Sequence, residues 1–310
     1  MKEKPLSIGV DIGGTHITCA AVQIQEGVLV TGSISRESYD HNAAADVILG
    51  RWAAALNHTM SAVEETQLAG IGFAIPGPFD YRNGISKMQH KFKNLYDVHI
   101  PSALNPLLAT ERDLPMRFLN DATAFAVGEA WFGEGRGFQK VVVITLGTGF
   151  GSAFIENGVP VVTGEKVPKE GCLWHLPYKD GIADDYFSTG WFVREYQKQE
   201  GKTISGVKEL MEKAGNDAFA QGLFAQFGRN LAECLAAPLR TFGAEILIIG
   251  GNISFALPVF EQEFLAGLKT AGVTLKVVVS GLKEHAALTG SARLLDDVFW
   301  EKVSAHLPHI

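Results

Sequence analysis

No run of lysine or arginine occurs anywhere in the 310 residues, and acidic side chains outnumber basic ones, 34 to 27, for a formal net charge of −7. Binding nucleic acid as a main partner takes a concentrated basic surface, so no nucleic-acid partner is expected. Long apolar runs are missing too. The longest are strand-length, and residues 1–5 lack the charged-then-apolar build of a signal peptide, so a cytoplasmic protein with no membrane partner is expected. Cysteine is scarce: Cys19, Cys172 and Cys234 are far apart and odd in number, which suits reduced thiols and gives neither a disulfide framework nor a CxxC zinc pattern.

Glycine, by contrast, is abundant. Its 34 residues are about one in nine against a usual ~7%, with no collagen-like period. Such an excess belongs in loops where backbone must approach something closely. The length allows two domains.

From Ser7 the chain reads strand, glycine turn, strand: Ile8 to Asp11, Gly13-Gly14-Thr15, then Ile17 to Ile24 and Gly27 to Ser33, an antiparallel meander. Asp40 to Val63 has helical spacing, with Asp40 or Asn42 as N-cap. Gly70 to Ile75 is a buried strand ending in Pro76-Gly77-Pro78, and Met116 to Leu119 is a strand ending in Asn120-Asp121 before a helix from Ala122 to Trp131. The glycines at 133, 135 and 137 end that helix. The opening theme then recurs as Val141 to Leu146, Gly147-Thr148-Gly149-Phe150-Gly151, and Ser152 to Ile155, which predicts two structurally related halves. Further on come a long helix from about Asp217 to Thr241 with Pro238 near its end, a strand from Glu245 to Ile249 followed by Gly250-Gly251-Asn252, a helix, a strand from Leu275 to Ser280, and a last helix from about His285 to Trp300.

Two familiar phosphate loops fail on their context. Gly201-Lys202-Thr203 lacks the glycine five residues before the Gly-Lys pair, where Tyr196 stands, and Gly147-x-Gly149-x-Gly151 leads into a strand rather than a helix. What remains is a pair of glycine hairpins, Asp11 to Thr15 and Leu146 to Gly149. Backbone N–H groups without Cβ atoms around them can converge on one anion, and a threonine hydroxyl adds a donor, so two such loops can clamp a polyphosphate. Either loop alone reads equally well as a tight turn. Asp11, at the end of its strand, fits hydrated Mg²⁺, which keeps several waters and uses few carboxylates.

DIGGTHITCAAV, GFAIPGPFD, FLNDATAFAVGEAWFGEGRG, VVVITLGTGFGSAFIENG and EILIIGGNIS resemble, in order and spacing, the motifs of the ROK family of sugar kinases and sugar-responsive repressors. The resemblance implies an α/β, actin-like (ribonuclease-H-like) ATPase fold of two related domains with a cleft between them. No low-complexity linker separates the halves, so the boundary is expected at a hinge near Asn120, between a smaller domain at 1–119 and a larger one at 120–310, with a C-terminal helix at about 286–310 packing back on the smaller domain. ATP phosphates would lie on Gly13, Gly14, Thr15, Gly147, Thr148 and Gly149, with Gly250, Gly251 and Asn252 beside the nucleoside. Asp121 would be the general base, and Gly77, Asn94 and Asn120 would meet the sugar. A homodimer is implied as well.

The chain departs from this pattern at the sugar-reading loop. Members commonly carry Gly-Glu-x-Gly-His, then a cysteine cluster for structural zinc, then a second glutamate. Here the segment reads Gly171-Cys172-Leu173-Trp174-His175, the zinc cysteines are missing, and Asp184 takes the second glutamate's place. His175 and Asp184 are the expected sugar contacts, with no zinc site. The resemblance leaves an ATP- and Mg²⁺-dependent kinase acting on the 6-hydroxyl of a hexose or N-acetylhexosamine, glucokinase-like, or alternatively a non-catalytic sugar sensor. A repressor needs a helix-turn-helix domain ahead of a first strand that starts within about seven residues.

Overall fold

Two β-hairpins, each continued by parallel strands, organise the chain. The computed structural model describes residues 5–307. The described residues fall into two units, one running to Arg136 and including Gly158–Pro160 and the segment from Glu284 onward, the other Gly137–Asn157 with Val161–Lys283. The first unit therefore extends past the 119/120 boundary read from the sequence. The reason is local: the helix Asp121–Phe132 packs extensively on the helix His285–Arg293 of its own unit.

In the first unit the sheet order is Val28–Leu29, His16–Gln23, Leu6–Ile12, Leu68–Ile75, Met116–Asn120, with Ser35–Ser38 also pairing with His16–Gln23. The first hairpin is antiparallel and the two later pairings are parallel. In the second unit Phe150–Glu156 pairs antiparallel with Lys140–Leu146, and Ile246–Gly250 and Lys276–Val279 follow in parallel. The same hairpin-then-parallel order thus occurs twice. In open α/β sheets ligands gather at the carboxyl ends of the strands. Register sets Asp11 beside Ala74 and Ile75 beside Asn120 at that end of the first sheet, and Gly250 beside Thr145 at that end of the second.

The helix His285–Arg293 lies directly on the backbone of the first sheet. Cβ atoms on Gly9 and Gly72 would overlap the carbonyls of Leu288 and Ser291, so only glycine permits this approach. Ser7 Oγ donates to the Ala292 carbonyl at 2.9 Å, and the Val10 N–H donates to Ser291 Oγ at 3.1 Å. In the second unit Phe224 and Phe227 of the helix Ala218–Phe242 pack with Phe187, Phe192 and Phe260, and all five are fully buried. This interior supplies the rigid base for the second hairpin.

Several elements differ from the sequence reading. The expected strand from Gly27 to Ser33 shrinks to Val28–Leu29, because Gly27 and Gly32 both turn the chain at positive φ. The first helix spans Ala45–Ser61 with Ala44 as N-cap; Asp40 instead closes a turn by accepting the Asn42 N–H at 2.8 Å. The helix expected from His285 to Trp300 is two, His285–Arg293 and Asp297–Ser304, because the Asp296 carboxylate caps the second by accepting from the Phe299 N–H. Helices Thr189–Glu200 and Val207–Ala214 were not anticipated. Gly201, at φ 64°, ends the first of these, which is the structural role of the Gly-Lys-Thr run. The long helix runs through Pro238 to Phe242.

Candidate active site

The first hairpin turns tightly: the Gly13 N–H donates to the His16 carbonyl at 2.9 Å. Tyr39, which the sequence reading missed, holds it from behind. Its hydroxyl donates to the Gly13 carbonyl at 2.6 Å with the His16 carbonyl 3.1 Å away, and its N–H donates to the Thr15 carbonyl. Tyr39 stands against Phe92, which stands against Trp52, so the clamp is rooted in the core. Nothing lies within 4 Å of where a Cβ on Gly14 would be, and its φ is not positive. Neither crowding nor backbone conformation within the chain accounts for a glycine there, and the space on its Cβ side is open to an external group. Thr15 is exposed, its Oγ1 3.2 Å from His16 Nδ1.

Asp121 is the first residue of its helix, and Asn120 is the N-cap, accepting from the Thr123 N–H at 3.2 Å. Asn120 Nδ2 donates to the Tyr81 hydroxyl at 3.3 Å, and that hydroxyl donates to the Ile75 carbonyl at 3.2 Å. A Cβ on Gly77 would stand 3.2 Å from the same hydroxyl. Tyr81 therefore gathers the Pro76-Gly77 turn and the Asn120-Asp121 turn, a role invisible before folding. Asp121 Oδ1 accepts the Ala122 N–H at 2.9 Å. Burial raises the Asp121 pKa, opposed by that hydrogen bond and by the positive charge of Lys91. The helix N-terminus also favours its charged form.

Asp11 is pushed from 3.8 to about 7, chiefly by burial, then by the charges of Asp121 and Glu284, with Arg36 opposing. Asn94 behaves otherwise than a free sugar ligand. Both hydrogens of its amide go to backbone, the carbonyls of Asn42 at 2.9 Å and Ala43 at 2.8 Å, leaving Oδ1 as its remaining group.

In the second unit the Gly147 N–H donates to the Gly149 carbonyl at 3.1 Å, closing the other hairpin. Thr189 grips it, its N–H and hydroxyl donating to the Gly147 carbonyl at 2.7 and 3.0 Å. A Cβ on Gly147 would meet nothing within 4 Å, as at Gly14, and Thr148 is exposed at the tip. Gly251, at φ 79°, sits where a Cβ would overlap the Leu146 carbonyl, so the turn Gly250-Gly251-Asn252 presses on the strand that leads into this hairpin. Asn252 opens the short helix Asn252–Ala256.

The segment 171–175 is bonded to Phe150–Glu156, the strand that leaves this hairpin. The Leu173 N–H donates to Ser152 Oγ at 2.8 Å, and Cys172 Sγ donates to the Glu170 carbonyl at 3.3 Å. Trp174 is 45% exposed and packs edge-on against the His175 ring, 5.2 Å between centroids. Asp184 Oδ1 accepts the Phe150 N–H at 2.6 Å, and the Asp184 N–H donates to the Trp174 carbonyl at 3.0 Å. Among the described residues no three His, Cys, Asp or Glu side chains cluster in a way that could hold a metal ion, and no helix is long and apolar enough to cross a membrane.

The sequence profile of the ROK family matches residues 7–298. The chain belongs to the ROK family. Among ROK relatives, glucokinase of Thermotoga maritima is 30% identical, over 94% of this chain and 97% of that enzyme. N-acetyl-D-glucosamine kinase of Vibrio cholerae is 26% identical, over 82% and 86%. The crystal structure of a ROK family glucokinase from Streptomyces griseus in complex with glucose and AMPPNP superposes with a TM-score of 0.72 at 23% identity, over 93% of this chain and 98% of that one. The fold is therefore that of the actin-like ATPases, as the resemblance implied.

Proposed function

We propose that this protein is an ATP-dependent sugar kinase, glucokinase-like, that phosphorylates the 6-hydroxyl of a hexose or N-acetylhexosamine. The observation that carries this reading is Asp121, a shielded carboxylate fixed at a helix N-terminus within the electrostatic reach of Asp11. Relatives that are glucokinases and N-acetylglucosamine kinases support the substrate class.

In this reading the sugar hydroxyl gives its proton to the Asp121 carboxylate as its oxygen attacks the γ-phosphorus. The bond from that phosphorus to the bridging oxygen breaks, and ADP leaves. Burial raises the Asp121 proton affinity, which suits a base, while the helix end and the Lys91 charge favour its ionised form. Backbone N–H groups of Gly14 and Thr15, and of Thr148 and Gly149, donate to ATP phosphates, with the two threonine hydroxyls as further donors, while the N–H groups of Gly13 and Gly147 close the hairpins that carry them. Gly250, Gly251 and Asn252 adjoin the nucleoside. Gly77, Asn120 and His175 meet the sugar, and Asn94 and Asp184 each have only part of their polar capacity left for it.

The donor set at Asp11 fits Mg²⁺. The Asp11 carboxylate is buried and feels the negative charges of Asp121 and Glu284, an excess that a divalent cation would offset, directly or through water. When bound, the ion would neutralise phosphate oxygens.

The test is ADP release with Mg-ATP against glucose, mannose, fructose, N-acetylglucosamine and N-acetylmannosamine, with Asp121→Asn as control. One or two sugars should stimulate release, and the variant should lose roughly 10²–10⁴ in kcat while still binding AMPPNP. Sugar binding without ADP release from wild type would favour a sensor, and near-normal turnover in Asp121→Asn would remove the base from that residue.

A further inference from the structure

The resemblance gives Asp184 to the sugar, but the geometry points to a different duty. We propose that Asp184 is a positioning residue for the nucleotide hairpin, and that through it the sugar-reading segment and the hairpin are energetically coupled. The proposal rests on the kinase reading above, because it takes the Gly147–Gly149 hairpin as a phosphate site.

Three contacts carry it. Asp184 Oδ1 accepts the Phe150 N–H at 2.6 Å, a short hydrogen bond of the charge-assisted kind. The same oxygen would stand 3.2 Å from a Cβ on Gly149, so the carboxylate occupies the space a side chain there would need. The Asp184 N–H donates to the Trp174 carbonyl, the residue before His175. One residue therefore joins the Trp174-His175 segment to the hairpin through its backbone on one side and its carboxylate on the other.

The two glycines of this turn differ accordingly. Gly147 is open on its Cβ side, as a ligand requires, whereas Gly149 is closed by Asp184. Thr189 holds the Gly147 carbonyl and Asp184 the Phe150 N–H, so the tip is tied on both flanks. A loop whose N–H groups are already aimed loses less entropy when it binds an anion. A ligand that steadies His175 and Trp174 also steadies Asp184, which lowers that cost further and makes the two ligands bind with positive coupling.

The experiment measures AMPPNP affinity by calorimetry, with and without the sugar that wild type phosphorylates, in wild type, Asp184→Ala and Asp184→Asn. Asparagine keeps an acceptor oxygen for the Phe150 N–H but has no charge and offers a donor where the second carboxylate oxygen stood. Asp184→Ala should weaken AMPPNP roughly tenfold, the scale of one lost hydrogen bond to a charged group, and remove the sugar's enhancement. Asp184→Asn should stay within about threefold of wild type in AMPPNP affinity. Unchanged nucleotide affinity in Asp184→Ala overturns the proposal, as does sugar affinity lost in both variants with nucleotide affinity kept. Hydrogen exchange on wild type guards against a variant that does not fold: sugar alone should slow exchange in the peptide spanning 147–151, and no slowing overturns the coupling. If wild type itself does not bind AMPPNP, the phosphate-site reading fails with it, an outcome distinct from a failure confined to Asp184.

Discussion

The Tyr39 hydroxyl lies 2.6 Å from the carbonyl of Gly13, 26 positions away in sequence, and fixes the turn of the first hairpin. Tyr39→Phe keeps the ring packing and deletes the bond. A loss of about 1 kcal/mol is expected, about fivefold in AMPPNP affinity where all of it falls on the hairpin. Calorimetry on the variant, with urea unfolding alongside, shows how the loss divides between binding and stability.

Gly14 and Gly251 should respond to alanine in opposite ways. Nothing surrounds Gly14 at ordinary φ, so Gly14→Ala should alter stability by less than about 0.5 kcal/mol, yet cost roughly tenfold in AMPPNP affinity. Gly251, at φ 79° against the Leu146 backbone, should lose about 1–3 kcal/mol of stability or more with alanine. Urea midpoints and nucleotide titrations on both variants check the contrast, and equal stability losses would contradict it.

The pH dependence follows from Asp11. Its folded pKa of about 7 lies above the ordinary 3.8, so between those values the folded state holds a proton that the unfolded chain has released. Stability from this group therefore falls as pH rises across that window, and levels off above it. Asp11→Asn cannot ionise, so its stability relative to wild type should grow from about pH 4 to about pH 7 and then stay flat. Urea unfolding of both proteins without divalent ions measures this gap, and added Mg²⁺ should narrow it at high pH. A gap independent of pH would show that the carboxylate is not held up by its surroundings.

Both glycine hairpins and the Asn120-Asp121 turn were legible because glycine turns between β-branched runs and an Asx residue before an apolar helix are local signals. The helix Ala218–Phe242 was legible through its leucine and phenylalanine spacing. Thr189–Glu200 was not: it buries only Trp191, Phe192 and Tyr196, two of them adjacent, and has no side-chain cap. Tyr39 and Tyr81 escaped for another reason. A tyrosine hydroxyl's partner is a carbonyl remote in sequence or brought near by a turn, and no spacing rule marks it. The glycine surplus is only partly accounted for by the hairpin turns, since Gly9 and Gly72 serve close packing of helix on sheet.

That packing constrains how the protein is made. Ser7 and Ala292, joined by a hydrogen bond, are separated by 285 positions. On a ribosome the opening hairpin emerges long before its covering helix, with glycine-floored grooves exposed in the interval. The second unit, whose segments lie almost entirely between them, is complete by then and can fold first. Contacts of such sequence separation form slowly. The hairpin, made well before its covering helix, is thus finished last, and deleting 285–293 should leave nascent protein dependent on chaperones, however well its other unit folds.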